Sequence, residues 1–221
     1  MVALMAAAGA TRALRVGTLV LDNDYRHPVL LAKEAATLDL LSGGRLELGI
    51  GAGWLREEYE RAGMAFDAAG MRVSRLEESL RILKELLTGS PVSAPGTYYR
   101  VSDLESFPRP AQRPHPPILV GAGSRRMLGI AGREADIVSI LPKALPNGTI
   151  SDDLSERSPE TIARKVDWVS QAAAERAVRV ELSMMVSVKI AGDHRKAADS
   201  PEASRRPPAR ASARAGRTGT P

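Results

Sequence analysis

Along the first 190 residues the hydrophobic pattern switches repeatedly between two periods. Short, β-branched or leucine-rich runs alternate with longer stretches whose apolar residues recur every three or four positions. Leu14–Leu21 (LRVGTLVL) is a near-continuous apolar run of strand length, the pattern of a strand buried on both faces. His27-Pro28 opens a helical stretch, with Pro28 suited to the first turn. Val29, Leu30, Ala32, Ala35, Ala36 and Leu40 then keep helical spacing until Gly43-Gly44 stop it. Arg45–Ile50 (RLELGI) reads as the next strand. Val73, Leu76, Leu80, Leu83 and Leu87 form one apolar stripe, the clearest helix of the chain, closed by Gly89.

Residues 90–116 break the rhythm: Pro-Gly turns around YYRV predict a short hairpin, and FPRPAQRPHPP a proline-rich connector. The alternation resumes with a strand at Ile118–Val120, a helix from Ser124 to Arg133 and a strand at Asp136–Leu141. A helix over Glu160–Arg176 and a strand over Val178–Ile190 follow. The apolar start, MVALMAAAGA, lacks a basic lead and reads as the end of a helix rather than a signal peptide. Repeated βα units call for parallel strands joined by helical crossovers, in a doubly wound sheet or a (β/α)8 barrel.

Composition narrows the class. A chain of 221 residues with 43% hydrophobic and 26% charged residues is ordinary for a globular protein. No window approaches the ~18 apolar residues of a membrane span. The absence of cysteine excludes disulfides, thiolate nucleophiles and Cys-ligated metals. Three scattered histidines without an H-x-x-x-H pair offer no metal site. The net charge of +5 sits mostly in residues 192–221, whose six arginines and one lysine against three acidic residues carry +4. That tail has no Val, Ile, Leu, Met or aromatic residue, so it is expected to be disordered. Without interleaved aromatics it does not read as a nucleic-acid arm, and its Ala/Arg/Pro monotony fits out-of-frame translation of a GC-rich gene.

Candidate chemistry centres on two glycine turns. The run 47-ELGIGAGWLREEY-59 has strand, G-A-G and helix in succession, and Gly121-Ala122-Gly123 repeats the arrangement. A dinucleotide fingerprint would need glycine where Trp54 stands, and no G-K-[ST] follows either turn. Glycines at strand ends nevertheless let backbone approach a ligand, and the following helix start favours an anion. Ser124, Arg125 and Arg126 would suit a phosphate; the competing reading is two tight turns. Asp22 and Asp24 either bind substrate or cap a helix, Glu57-Glu58 read as solvent-exposed, and His27 reads chiefly as a helix-start residue.

The run 42-SGGRLELGIGAGW-54 resembles the bacterial luciferase-like oxidoreductase superfamily, most closely the branch that uses the deazaflavin coenzyme F-420 and is common in actinobacteria. The likeness extends through 16-VGTLVLDNDYRHPVLLAKEAATLDLLSGGRLELGIGAGWLREEYERAGMAFD-67, RVSRLEESL and PPILVGAGSRRMLGIAGREADIVSILP, over roughly residues 3–190. It implies an α/β fold, a partial TIM-type (β/α)8 barrel with about five of eight strands in residues 1–191. By resemblance a bulge with a non-prolyl cis peptide falls near Leu19-Val20, with Asp22 just beyond, and supports one face of the cofactor ring. Ala52, Gly53 and Trp54 would approach the ring, while Gly121, Ala122, Gly123 and Ser124 would hold the phosphate. Trp54 departs from relatives with a polar residue there.

The implied activity is hydride transfer between coenzyme F-420 (8-hydroxy-5-deazaflavin) and a small organic substrate in the cytoplasm, with a homodimer as a compatible assembly. An FMN-dependent monooxygenase is the alternative, and a non-catalytic remnant a third reading. The likeness starts inside the helix after the family's second strand and ends near Ile190, so the first two strands and the last βα unit are expected to be missing. Opened strand edges would then favour association or misfolding.

Overall fold

The computed structural model describes residues 1–176 and 179–186. Helix α1 (Val2–Ala10) precedes two strand fragments, β1 (Val16–Gly17) and β2 (Leu21–Asp22), and a 3-10 turn at Asn23–Tyr25. Then come α2 (Pro28–Ser42), β3 (Leu46–Gly51), the short α3 (Arg56–Arg61) and α4 (Ala69–Thr88). The hairpin β4 (Val92–Pro95) and β5 (Arg100–Leu104) is followed by β6 (Ile118–Ala122), α5 (Arg125–Glu134) and β7 (Ile137–Ile140). A 3-10 turn at Leu154–Arg157, α6 (Pro159–Ala172) and β8 (Glu181–Met184) complete the described elements. The proposed tail and the outer parts of the expected last strand, Val178 and residues 187–190, lie outside the described residues.

The larger sheet is parallel throughout, in the order β1–β3–β6–β7–β8, with β2 also paired to β3. Spatial order therefore equals chain order. A doubly wound sheet would reverse direction part-way; successive right-handed crossovers in one direction put every helix on one side, as in a barrel wall. Leu46, Leu48 and Ile50 on β3, Ile118, Val120 and Ala122 on β6, and Val138 and Ile140 on β7 join the helices in one core. By strand alternation Gly49, Gly51, Leu119, Gly121, Ile137 and Ser139 line the opposite, barrel-interior face. Five parallel strand positions are present, as expected, with the antiparallel β4–β5 hairpin outside the wall.

Local chemistry sets the ends of these elements. On α2, Pro28 occupies the first turn, His27 Nδ1 accepts the Val29 amide at 3.3 Å, and Gly43 ends the helix at φ 71°. Buried Asp39 accepts from the Gln112 amide (2.9 Å) and its side chain (2.7 Å), tying α2 to the proline-rich connector below β3. The stripe on α4 is fully buried at Leu76, Leu80, Leu83 and Leu87, each contributing at most about 1.5–3 kcal/mol by burial.

One expected strand is not continuous. Leu14–Leu21 breaks into β1 and β2 around Thr18–Val20, and it is not buried on both faces: Leu14 is 58% and Leu19 57% exposed. Thr18 is the reason. Its hydroxyl donates to the Gly49 carbonyl at 2.7 Å and accepts the Gly49 amide at 3.0 Å, so a side chain takes the place of ladder backbone. Among the described residues the sheet has open edges at β1/β2 and at β8, where Leu182, Met184 and Met185 are exposed.

Candidate functional site

The C-terminal ends of β2, β3, β6 and β7 come together at one rim, where βα turns carry most of the residues singled out from sequence. The peptide between Leu19 and Val20 is cis, at the position implied by resemblance. The bulge turns Val20 into the barrel interior, over the two glycine strands. A β-carbon on Gly51 would lie 2.8 Å from a Val20 methyl, and one on Gly121 3.6 Å from the other. Leu141, just past β7, closes over Gly121 from the far side at 3.0 Å. Gly51 and Gly121 are thus small because Val20 and Leu141 occupy the volume their side chains would fill.

The turn residues have equally specific neighbours. Gly53 has φ 72°, and a β-carbon there would meet the Tyr59 hydroxyl and the Asp22 carboxyl group. A β-carbon on Gly123 would lie 2.8 Å from the Leu141 carbonyl oxygen and closer still to that of Pro142. Arg72, 5% exposed, reaches the turn from the other side: its Nε donates to the Ala52 carbonyl at 3.3 Å and a terminal nitrogen to the Gly53 carbonyl at 3.5 Å. The same guanidinium lies 3.8 Å above the Phe66 ring and bonds the Asp67 carbonyl. Trp54 follows, half-buried at the start of the connection to α3.

At the second turn Ser124 caps α5, its hydroxyl accepting the Met127 amide at 3.4 Å. The first turn of α5 contains no acidic side chain, and exposed Arg125 stands beside the cap, so the local field favours an anion. Arg126 is turned aside to the Gly70 carbonyl (3.1 Å) and the Ser74 hydroxyl (2.8 Å). Below this turn the buried Lys165 donates to the Leu141 carbonyl at 2.8 Å and to Glu156 at 2.7 Å, which fixes the residue covering Gly121.

Electrostatics concentrate behind the first turn. Burial, the largest influence, pushes the Asp22 carboxyl above its ordinary value. Burial and the neighbouring Asp22 and Asp24 likewise push the Tyr59 phenol far up, so it keeps its proton. Asp24 pairs with Arg75 at 2.9 Å.

Asp22 also caps the 3-10 turn, accepting the Asp24 amide at 2.9 Å, whereas the helix that follows is capped by His27. His27 caps α2 and packs edge-on to Tyr99; Glu57 and Glu58 are exposed. Sequence reasoning missed Thr18, Tyr59, Arg72 and Leu141. For Tyr59 the available signal was a lone aromatic within a charged helix, REEYER.

A family model described as luciferase-like monooxygenase matches residues 1–212, nearly the whole chain. The chain belongs to this luciferase-like family. Among curated relatives it is 36% identical over 127 residues to the FMNH(2)-dependent dimethylsulfone monooxygenase of Pseudomonas putida, covering 58% of this chain and 35% of that protein. It is 33% identical over 190 residues to an F-420-dependent glucose-6-phosphate dehydrogenase of Microbacterium testaceum, covering 83% of this chain and 52% of the relative. Among solved structures, a monooxygenase from Streptomyces bottropensis superposes with a TM-score of 0.71 at 27% identity, over 88% of this chain and 56% of the other. The chain thus spans about a third to a half of the length of these curated luciferase-like relatives. Both an F-420-dependent enzyme and an FMNH(2)-dependent enzyme stand among them. No described helix is long and apolar enough to cross a membrane.

Proposed function

We propose that this chain holds coenzyme F-420 at the rim of its strands, as part of an oxidoreductase transferring hydride between the deazaflavin and a small organic substrate. The observation that carries the reading is the meeting, at one rim, of the Leu19–Val20 bulge with the Ala52–Trp54 and Gly121–Ser124 turns. The residues fit such a group. Leu19 and Val20 present aliphatic surface for a planar ring, and exposed Leu19 has apolar area to cover. Asp22, Ala52, Gly53 and Trp54 wall its side, while Gly121, Ala122, Gly123 and Ser124 face its phosphate with the amides that begin α5. The cofactor, when bound, supplies the two-electron chemistry. The chain's part is to fix the ring plane and the phosphate.

FMN is the second reading, favoured by the relative that uses FMNH(2). The same proposal takes residues 1–191 as the barrel portion and 192–221 as a basic tail, with the chain cytoplasmic, of the actinobacterial type and able to form a homodimer. It invokes neither nucleic acid nor membrane.

The test is thermal unfolding of the full chain with F-420 and, separately, with FMN. A ligand present at a hundred times its Kd adds about 2.7 kcal/mol, a rise of roughly 5–10 °C for a chain of this size. A rise with F-420 alone supports the main reading, and a rise with FMN alone the second. A cooperative transition indifferent to both leaves the remnant reading standing.

A further inference from the structure

The connection from β7 to the next 3-10 turn has a structure of its own. Ala144 and Ile150 face each other as an antiparallel bridge. Within it the Leu145 amide donates to the Thr149 carbonyl at 2.8 Å, and the Gly148 amide to the Leu145 carbonyl at 3.0 Å. Thr149 donates to the Asn147 side chain from its amide (3.2 Å) and its hydroxyl (2.8 Å). The result is a closed hairpin with Asn147-Gly148 at its tip. Its base is tied down as well. The Ser151 amide donates to the Lys143 carbonyl at 2.9 Å, and the Lys143 amide to Glu156 at 3.0 Å. Glu156 is held in turn by the buried Lys165, which also grips the Leu141 carbonyl.

The tip is seated on another element. Gly148 is buried, although Asn147 and Thr149 on either side are exposed. The start of α3 covers it: a β-carbon on Gly148 would lie 2.9 Å from the Arg56 amide nitrogen, 3.2 Å from its α-carbon and closer still to its β-carbon. With φ at 84°, conformation and space both demand glycine here.

This seat fixes the path of the loop. In the sheet β6 stands between β3 and β7, so two strand spacings, about 10 Å, separate β7 from β3. Residues 142–148 can span at most about 25 Å, enough to pass the end of β6 and reach α3. At that end lies the Gly121–Ser124 turn, and the Leu141 and Pro142 carbonyls already fill the space beside Gly123. Contacts continue beyond the tip. The Arg56 guanidinium lies 4.5 Å from the centre of the Phe66 ring, and Arg72 lies 3.8 Å from the same ring. Arg72 is the residue that bonds the Ala52 and Gly53 carbonyls.

We propose that residues 142–151 form a strap across the rim, with Arg56 as the positioning residue on which it seats. Seated, the strap ties the Gly121–Ser124 turn to the Ala52–Trp54 turn and slows release of what is bound between them. That the bound group is a cofactor rests on the reading above; the seating of the strap does not.

The test is hydrogen exchange of the full chain, read by mass spectrometry segment by segment and without ligand. Gly148→Ala should speed exchange in residues 142–151 and also in 52–67, and leave 28–42 on α2 unchanged. Arg56→Ala keeps the backbone and β-carbon that Gly148 touches but removes the guanidinium from Phe66. It should leave 142–151 protected and speed exchange in 52–67. Dissociation of F-420 and of FMN is then followed by cofactor fluorescence. A left-handed alanine raises the unseated population about fivefold, so release from Gly148→Ala should be about fivefold faster, with association changed less.

Unchanged exchange in 142–151 of Gly148→Ala overturns the seat, and a rise confined to those residues overturns the tie between the turns. A rise throughout the chain, α2 included, makes Gly148 a residue of the fold at large and overturns the strap. Unaltered release from a variant with faster exchange overturns its hold on the ligand. If exchange behaves as expected while neither F-420 nor FMN binds the parent, the cofactor reading fails and the strap stands.

Discussion

Gly49→Ala is the sharpest perturbation of this fold, because the obstruction it meets is backbone. A β-carbon at Gly49 would lie 2.8 Å from the Thr18 carbonyl carbon, closer still to its oxygen, and 3.3 Å from the Thr18 hydroxyl oxygen. The two nearest are backbone atoms, and the hydroxyl is held by its two bonds to Gly49. Either the bulge or β3 must retreat by more than an ångström. Overpacking of this kind costs about 1–3 kcal/mol. Retreat also stretches the two bonds between Thr18 and Gly49, at 2.7 and 3.0 Å, each worth about 1 kcal/mol. The sum, about 3–5 kcal/mol, corresponds to a fall in Tm of roughly 6–20 °C.

Circular-dichroism melts of Gly49→Ala beside Gly9→Ala give the comparison. Gly9 lies in α1 with nothing within 4 Å of a β-carbon, so alanine there should stabilise by about 0.5–1 kcal/mol. Thr18→Val, which strips both bonds without the clash, should fall between them. A Gly49→Ala melt within about 2 °C of the parent, less than the shift expected for 1 kcal/mol, would refute the claim that the bulge dictates glycine here.

Three other outcomes follow from named contacts. Asp22 has a raised folded-state value, so its stabilising contribution is complete below the unfolded value of about 3.9 and is lost as pH rises through the folded one. Urea midpoints of Asp22→Asn relative to the parent should therefore improve with rising pH and then level off; an advantage that shrinks with pH contradicts the sign. Gly53→Ala places a side chain at φ 72° against Tyr59 and Asp22, and should lower stability by at least about 1 kcal/mol, read from the same midpoints. Lys165→Met removes the partner of Glu156, whose value burial alone would raise but which the Lys165 contact and the Lys143 amide hold down. The half-buried carboxylate left behind should cost about 2 kcal/mol at neutral pH, less than a fully buried one, and the loss should diminish as acid protonates Glu156.

The parts of the fold legible in sequence were those set by local periodicity and punctuation. The stripe from Val73 to Leu87 gave α4 because burying one helical face needs that spacing, and only its start at Ala69-Gly70, apolar residues without a period, escaped. His27-Pro28 and Gly43 marked both ends of α2 because a cap, a first-turn proline and a left-handed glycine act on their own neighbours. The continuous reading of Leu14–Leu21 failed for the converse reason: Thr18 displaces the ladder only because Gly49, 31 positions away, leaves room for it. Tyr59 offered only the weak signal of a lone aromatic among charged residues. In a six-residue charged helix it carries no periodic signal, and its burial depends on carboxylates of the distant β2 turn. The cis peptide came from family likeness alone.

The glycine turns began as a choice between ligand wall and tight turn, and the contacts dissolve that choice. Gly49, Gly51, Gly53, Gly121 and Gly123 each have their missing side chain replaced by another part of the chain: Thr18, Val20, Tyr59 with Asp22, Leu141, and Pro142. Their small size is thus a requirement of packing, and it is the packing that brings bulge, turn and helix start to one rim. The surface so formed consists of the Leu19–Val20 peptide, aliphatic side chains and backbone, which under the proposed function would grip a planar ring by shape. The 8-hydroxy-5-deazaflavin ring has the same planar three-ring shape as flavin but carbon in place of one nitrogen and a different edge substituent, and dispersion against the ring face responds weakly to such changes. On the proposed function a wall of this composition would suit either cofactor, and the relatives include proteins of both kinds. Discrimination between them would then fall to groups that contact the differing ring positions directly, and the wall's own substitutions should shift affinity for F-420 and FMN together.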